Sequence, residues 1–227
     1  MNHRSKAYLS KAEVVAEHQT WEPAAALAQI RNTSPSKFDA TVEVVFKLRI
    51  NPRHADQQVK GSLLLPAGHG RKPRLLVLTR DQAAAARDAG ADHVGGKEMI
   101  AKIKDEKWSD FELIIASPEI MAEISQIAAI IGRRGYMPNT KLGTVSRDLA
   151  KTVTEFKTKR IIYKNDKAGN LHLILGKTSW SPVKLMENYQ AVLKTVQRQK
   201  PVKIKGNYIK TAHVTTTMGP AFKLKLS

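Results

Sequence analysis

Residues 38–50 alternate almost without fault. Phe38, Ala40, Val42, Val44, Phe46, Leu48 and Ile50 fall on one side, and Asp39, Thr41, Glu43, Val45, Lys47 and Arg49 on the other. A period of two sends successive side chains to opposite faces of a strand, so this segment needs a sheet with one face in a core and the other in water or on a partner. A slip of one residue would exchange the two faces, so the pairing register is constrained as well. Whatever this chain folds into contains a half-exposed sheet.

The middle of the chain has a different pattern. Segment 74–79 (RLLVLT) is a near-continuous apolar run, as in a strand buried on both faces. An alanine-rich helix is expected from Asp81 to Gly90, then a short strand at His93-Val94, a second helix over 97–106 and a second apolar strand over 112–116. Ser117-Pro118 is expected to open a further helix, with Ser117 as N-cap and Pro118 at the first position. Strand–helix alternation of this kind predicts a small parallel α/β domain, Rossmann-like in topology.

Downstream the half-exposed pattern returns. A hairpin is expected from strands 160–164 and 171–175 about the turn Asn165-Asp166-Lys167-Ala168-Gly169-Asn170. Ser181-Pro182 opens a helix to about Gln199, with Met186, Tyr189, Leu193 and Val196 on its core side. A last strand over 207–217 ends at Thr215-Thr216-Thr217-Met218-Gly219. Neither flank carries enough elements for a stable unit alone. The expected fold is therefore α/β: an α+β split domain, 1–66 with 160–227, whose four-stranded sheet has helices on one side. An inserted three-layer α/β domain spans 67–159, and Gly68-His69-Gly70 with the stretch near 158–159 forms a two-stranded hinge.

Lys and Arg outnumber Asp and Glu 38 to 20, a net charge of +18. The excess is concentrated: residues 160–227 hold thirteen cations against two acids. A surplus of this size calls for a polyanion, of which nucleic acid is the common one and an anionic membrane surface the lesser. There is no cysteine, which excludes disulfides, thiolate metal sites and a thiol nucleophile, and fits a reducing cytoplasm. No run approaches a membrane span, and the first residues lack the apolar core of a signal peptide. A cytoplasmic protein with no membrane partner, monomeric when free, is expected.

Catalysis finds little support. The histidines fall at no metal-ligand spacing, and Gly95-Gly96-Lys97 lacks the spacing and hydroxyl residue of a phosphate loop. No cofactor or metal is expected, and a nucleotide-binding enzyme using the inserted domain is the disfavoured alternative. Binding finds more. Thr41, Glu43, Lys47 and Arg49 on the outer strand face, with Lys164, Lys167, Lys177, Lys203, Lys205 and Lys210, offer donors, an acceptor and charge. Lysines contact phosphate, whereas RNA discrimination needs acceptors for 2′-hydroxyls and base edges, which Glu43, Asp166 and the threonines could supply. A solvated basic face remains the other reading. Gly219 leaves a strand end bare for close approach by a backbone or a phosphate, or is an ordinary strand end before a Pro turn. Loop 131–141 is too rich in Gly and Pro for a helix. Its Arg133, Arg134 and Lys141 around Tyr136 suit stacking and phosphate contact, or simply cover the edge of the small domain.

Several spaced motifs carry a resemblance. KFDATVEVVFKL (37–48), DQQVKG (56–61) with LLLPAGHGR after it, AGADHVGG (89–96), GRRGYMPNTKLGTV (132–145), NDKAGNLH (165–172) and TTTMG (215–219) resemble the ribosomal protein L1 family, bacterial type, in family order along nearly the whole chain. The resemblance implies an RNA-recognition-like split domain with a Rossmann-like insert. It implies a structural protein of the large ribosomal subunit that binds large-subunit rRNA to form the mobile stalk. It further implies that the protein assists release of deacylated exit-site tRNA and represses its own operon mRNA. Residue by residue, the implied rRNA contacts are Lys37, Phe38, Thr41, Glu43, Arg53, Asn165, Asp166, Lys167, His172, Thr217, Met218 and Gly219. Arg133, Arg134, Tyr136 and Lys141 are the candidates for tRNA or RNA contact in the insert. Arg133, Tyr136 and Thr140 depart from the family's usual Pro, Leu and Pro, and Ala67 stands where His is common. Losing two prolines should loosen that loop.

Overall fold

In the computed structural model, residues 5–16, 20–202 and 204–226 are described, and the chain divides into two units. The first joins the residues up to 70 with those from 161 onward, and the second is Arg71–Arg160.

The first unit begins with helices α1 (Lys6–Ala16) and α2 (Pro23–Gln29), then strands β1 (Thr41–Leu48) and β2 (Lys60–Leu64). Pro23 sits in the first turn of α2, where its missing N–H costs nothing. The second unit carries β3 (Leu75–Leu78), α3 (Ala83–Asp88), β4 (His93–Gly95), α4 (Lys97–Asp105) and β5 (Leu113–Ala116). Helices α5 (Met121–Ile124), α6 (Ala128–Arg133) and α7 (Leu149–Thr158) complete it. The chain then returns through β6 (Arg160–Lys164), β7 (Asn170–Lys177), α8 (Pro182–Arg198), β8 (Ile209–Thr216) and β9 (Phe222–Leu224).

In the second unit β3 is central, parallel to β4 on one side and β5 on the other. All of β3 is buried, as its unbroken apolar run requires. Leu76, Leu78, Ile114 and Ala116 pack against Ile100, Ile103, Ile120, Ile124 and Ile131 from α4 through α6. Helix α7, packed against α3 and β5, buries Leu149, Val153 and Phe156. Asp148 caps α7 by accepting from Lys151 N at 3.0 Å.

The main sheet of the first unit runs β7-β1-β8-β9, antiparallel at every junction. Val42, Val44, Phe46 and Leu48 are fully buried, and Leu171, Leu173, Val192, Val196, Val214 and Phe222 share their core. At these positions the alternation of 38–50 is realised. Its ends are not: Phe38 lies before the strand and is 58 % exposed, and Ile50 lies beyond it.

Four expectations are corrected. Strand β6 does not join the four-stranded sheet; it pairs with β2 in a separate ribbon, and β9, not anticipated, takes the fourth place. The expected hairpin therefore closes only at the Asn165–Leu171 bridge, after which its two strands part to different sheets. Ser117, which opens a 3₁₀ turn (Pro118–Ile120) ahead of α5, and Ser181, which opens α8, make no capping hydrogen bond from the side chain, although Pro118 and Pro182 stand in the first turns as expected. Ile131, Gly132 and Arg133 belong to α6, so the loop is shorter than its Gly and Pro content suggested. On α8 the buried stripe is Leu185, Asn188, Tyr189, Val192 and Val196, with Met186 and Leu193 at its margin.

One polar side chain ties this core together. Asn188, fully buried, accepts from Ala67 N at 3.0 Å and donates to Gly68 O at 2.8 Å and Leu175 O at 2.7 Å. Burial of an amide is tolerated because its hydrogen-bonding capacity is used.

Candidate nucleic-acid interface

The face of the main sheet turned away from the core is polar, and the strand registers arrange it in rows. Asn170, Lys47 and Thr211 form one row, and His172, Val45, His213 and Lys223 the next. Ile174, Glu43 and Thr215 form the third. Glu43 has no hydrogen-bond or ionic partner among the described residues, so its carboxylate is available to accept from a ligand. Partial burial, with Lys223 alongside, holds the His213 imidazole below its ordinary value.

At one end of this face is a braced corner. Thr217 N donates to Thr41 O and Thr41 N to Thr217 Oγ1, both at 3.1 Å, so the two threonines lock the ends of β1 and β8 together. Lys177 Nζ donates to Thr41 Oγ1 at 3.1 Å. Asp39 ties the same corner to the segment after β7: Thr178 Oγ1 donates to it at 3.0 Å, and Ser179 N and Oγ each at 2.9 Å. Burial opposes ionisation of Asp39, but these bonds and nearby Lys177 outweigh it and leave the carboxyl below its usual range. Around this frame Lys37, Phe38, Thr217 and Met218 stand exposed, Met218 at 60 %. Two large apolar side chains displayed beside cations and hydroxyls are costly in water and useful against the flat faces and sugars of a nucleic acid.

Gly219 completes the corner. Its N–H bonds to Thr216 O at 3.1 Å, and Thr215 Oγ1 donates to its carbonyl at 3.2 Å. A Cβ at Gly219 would lie 2.2 Å from Thr216 Oγ1, a separation that no side chain tolerates.

The 165–170 turn lies at the other end of the face. Asp166 accepts from Asn170 N at 2.7 Å, Asn170 Nδ2 at 2.8 Å and Ala168 N at 2.8 Å, and these bonds hold its carboxyl below the ordinary value. Asn165 is buried: its Oδ1 accepts from Val59 N at 2.7 Å and its Nδ2 donates to Asp166 O at 2.9 Å. Both residues build the turn, while Lys167 and His172 are displayed from it, His172 at 3.8 Å from Asp166. Arg53 is exposed, and its amide is held by Asn51 Oδ1 at 3.2 Å. The structure thus gathers Lys37, Phe38, Thr41, Thr217, Met218 and Gly219 around one corner of the main sheet, with Glu43 and His172 on its open face. Asn165 and Asp166 take framing positions. Lys203 lies outside the described residues.

In the second unit Arg133, Arg134 and Lys141 are exposed and form no ion pair among the described residues. Tyr136 is half-buried, set against Phe111 at a centroid separation of 5.5 Å and against the isoleucine core. Part of its ring is therefore used in packing. Sequence reasoning missed Asp39 as a brace and His213 and Lys223 as members of the open face. The alternation of His213 and Thr215 with buried Ala212 and Val214 was the available signal for His213.

Among the described residues no group of His, Asp and Glu could hold a metal ion, and no helix is long and apolar enough to cross a membrane. A sheet with one side in a core and the other displaying cations, hydroxyls and a free carboxylate defines a binding scaffold. Residues 30–220 match the family described as Ribosomal protein L1p/L10e. The chain is 47 % identical to the large ribosomal subunit protein uL1 of Mycoplasma mycoides subsp. mycoides, covering 98 % of this chain and 97 % of that one. It is 43 % identical to that of Persephonella marina over 99 % and 94 %, and 45 % identical to that of a Nocardioides species over 97 % and 92 %. This chain therefore belongs to the ribosomal protein L1 family, and it is a ribosomal protein rather than an enzyme.

Proposed function

We propose that this protein is a constituent of the large ribosomal subunit in the cytoplasm. Its first unit docks the open sheet face and the Thr217–Gly219 corner onto folded large-subunit rRNA, forming the mobile stalk. Recognition is by shape and 2′-hydroxyls more than by sequence, as the mixture of lysines with Glu43 and threonines favours. The observation that carries this reading is the corner itself, where Thr41 and Thr217 are locked together beside exposed Lys37, Phe38 and Met218. The second unit, through Arg133, Arg134 and Lys141, contacts exit-site tRNA and assists its release when deacylated. The same face, meeting a similar fold in its own operon mRNA, represses that message. Other ribosomal components are its neighbours in the particle.

The test is rRNA binding across ionic strength. Affinity should fall with log[salt] at roughly 0.7 to 0.9 per phosphate contacted. Thr217→Val should cost about 1–3 kcal/mol on the cognate rRNA helix and much less on random duplex, because a polar contact inside a desolvated interface goes unpaired. Equal losses on both RNAs would demote the corner to scaffold.

A further inference from the structure

The row His172–Val45–His213–Lys223 crosses all four strands of the open face, one residue from each. Three inter-strand spacings make it a track roughly 14 Å long. Its two imidazoles flank the small side chain of Val45, and a lysine stands at the β9 end. His172 and Lys223 are exposed and His213 is half-buried. The charged groups facing the two histidines are few. Asp166 lies 3.8 Å from His172. On β1, Glu43 and Lys47 stand diagonally to both imidazoles, and Lys223 is directly opposite His213 on β9. Neither the His213 nor the Lys223 side chain has a hydrogen-bond or ionic partner among the described residues, and neither belongs to the corner that carries the rRNA reading.

We propose that this row is a phosphate track of the RNA-binding face, and that RNA docking on it draws a proton from solution onto His213. The proposal rests on the rRNA reading of the same sheet. In the free protein, partial burial and Lys223 disfavour the imidazolium and bias His213 toward the neutral form, which offers a single N–H. A phosphate brought over the row reverses this balance. An opposite charge within a few ångströms favours the protonated ring, which then offers two donors and compensates the charge it meets. Lys223 supplies a fixed charge at one end of the row and His213 a charge that exists only when the polyanion is present. The free sheet therefore avoids two adjacent cations, and the complex gains the second. Binding energy and proton uptake are linked, so RNA affinity rises as pH falls through the neutral range.

The experiment measures binding of a large-subunit rRNA fragment containing the stalk helix by the full-length protein. It runs from about pH 8 to about pH 5.5 at fixed ionic strength, with calorimetry in two buffers of different ionisation enthalpy. The wild type should tighten toward a limiting slope of about tenfold per pH unit and take up close to one proton. His213→Gln should flatten the slope and lose the uptake. His213→Arg, permanently charged, should bind at pH 8 at least as tightly as wild type, with no slope. His172→Gln assigns any residual slope to the other ring. An unchanged slope and uptake in both His213 variants would overturn the proposal while leaving rRNA binding intact. A wild type that binds this fragment no better than random duplex would overturn the rRNA reading and this one with it.

Discussion

Gly219→Ala tests the corner through a single contact. The added methyl would meet Thr216 Oγ1 at 2.2 Å, and the next nearest atom outside that side chain, Thr33 O, is 3.5 Å away, an ordinary contact. Thr216 is 3 % exposed and its hydroxyl lacks a hydrogen-bond partner, so it sits wedged with no bond to trade. Relief requires Thr216 to leave its rotamer, at about 0.5–1.5 kcal/mol, or the chain to shift, at about 1–3 kcal/mol for an overpacked site. Gly219 is not among the residues with positive φ, so the backbone itself adds no penalty. The expected loss of stability is therefore about 1–3 kcal/mol, and in a Thr216→Ala background it should nearly vanish. Urea unfolding of the four proteins of the cycle, with equal m-values, would give the coupling energy. Costs that simply add, within roughly 0.5 kcal/mol, would refute the argument that this one contact excludes a side chain. Binding to rRNA separates packing from recognition. If RNA approaches the bare Gly219, the double variant regains stability and still binds weakly.

Three further outcomes are expected. Asn188→Leu strips partners from Ala67 N, Gly68 O and Leu175 O at once, and should cost roughly 2–5 kcal/mol in urea melts, far more than Gln190→Leu at an exposed position of α8. The folded-state value of His213 lies below 6.5, so the unfolded chain takes the proton first. Stability of the free protein should then decline as pH falls through 6.5 and level off below the folded value, and His213→Gln should remove that component from a pH series of melting midpoints. Asp39 and Asp166 are lowered from 3.8, so their contribution is present above that pH and is lost as pH falls below it. Asp39→Asn should shrink this acid-side loss and loosen the segment after β7, read as faster amide exchange at Ser179.

The legible parts of this protein are those governed by local periodicity. The inward set Val42, Val44, Phe46 and Leu48 and the outward set Thr41, Glu43 and Lys47 follow from the two-residue repeat of a strand, whatever it pairs with. The buried parallel strands of the second unit follow in the same way from apolar runs at 75–78 and 113–116. Family motifs marked the corner residues, and most of them do gather on one sheet. The role of Asn165 was not legible, because its side chain is committed to Val59, a residue more than a hundred positions earlier. The packing of Tyr136 against Phe111 was likewise not legible, because that partner lies well before it in the chain.

The sequence by itself determined that there would be a half-exposed sheet, a buried parallel one and a basic surface. Those are properties of periodicity, apolar content and charge, which a chain carries before it folds. Only the tertiary structure decided that β9 rather than β6 closes the main sheet, since strand pairing depends on partners distant in sequence. It alone set His172 and His213 on either side of Val45 and brought Asp39 against Ser179, 140 positions away. Registers and hydrogen bonds of that kind are selected by the whole core together, and it is they that turn a basic strand face into a surface of defined shape.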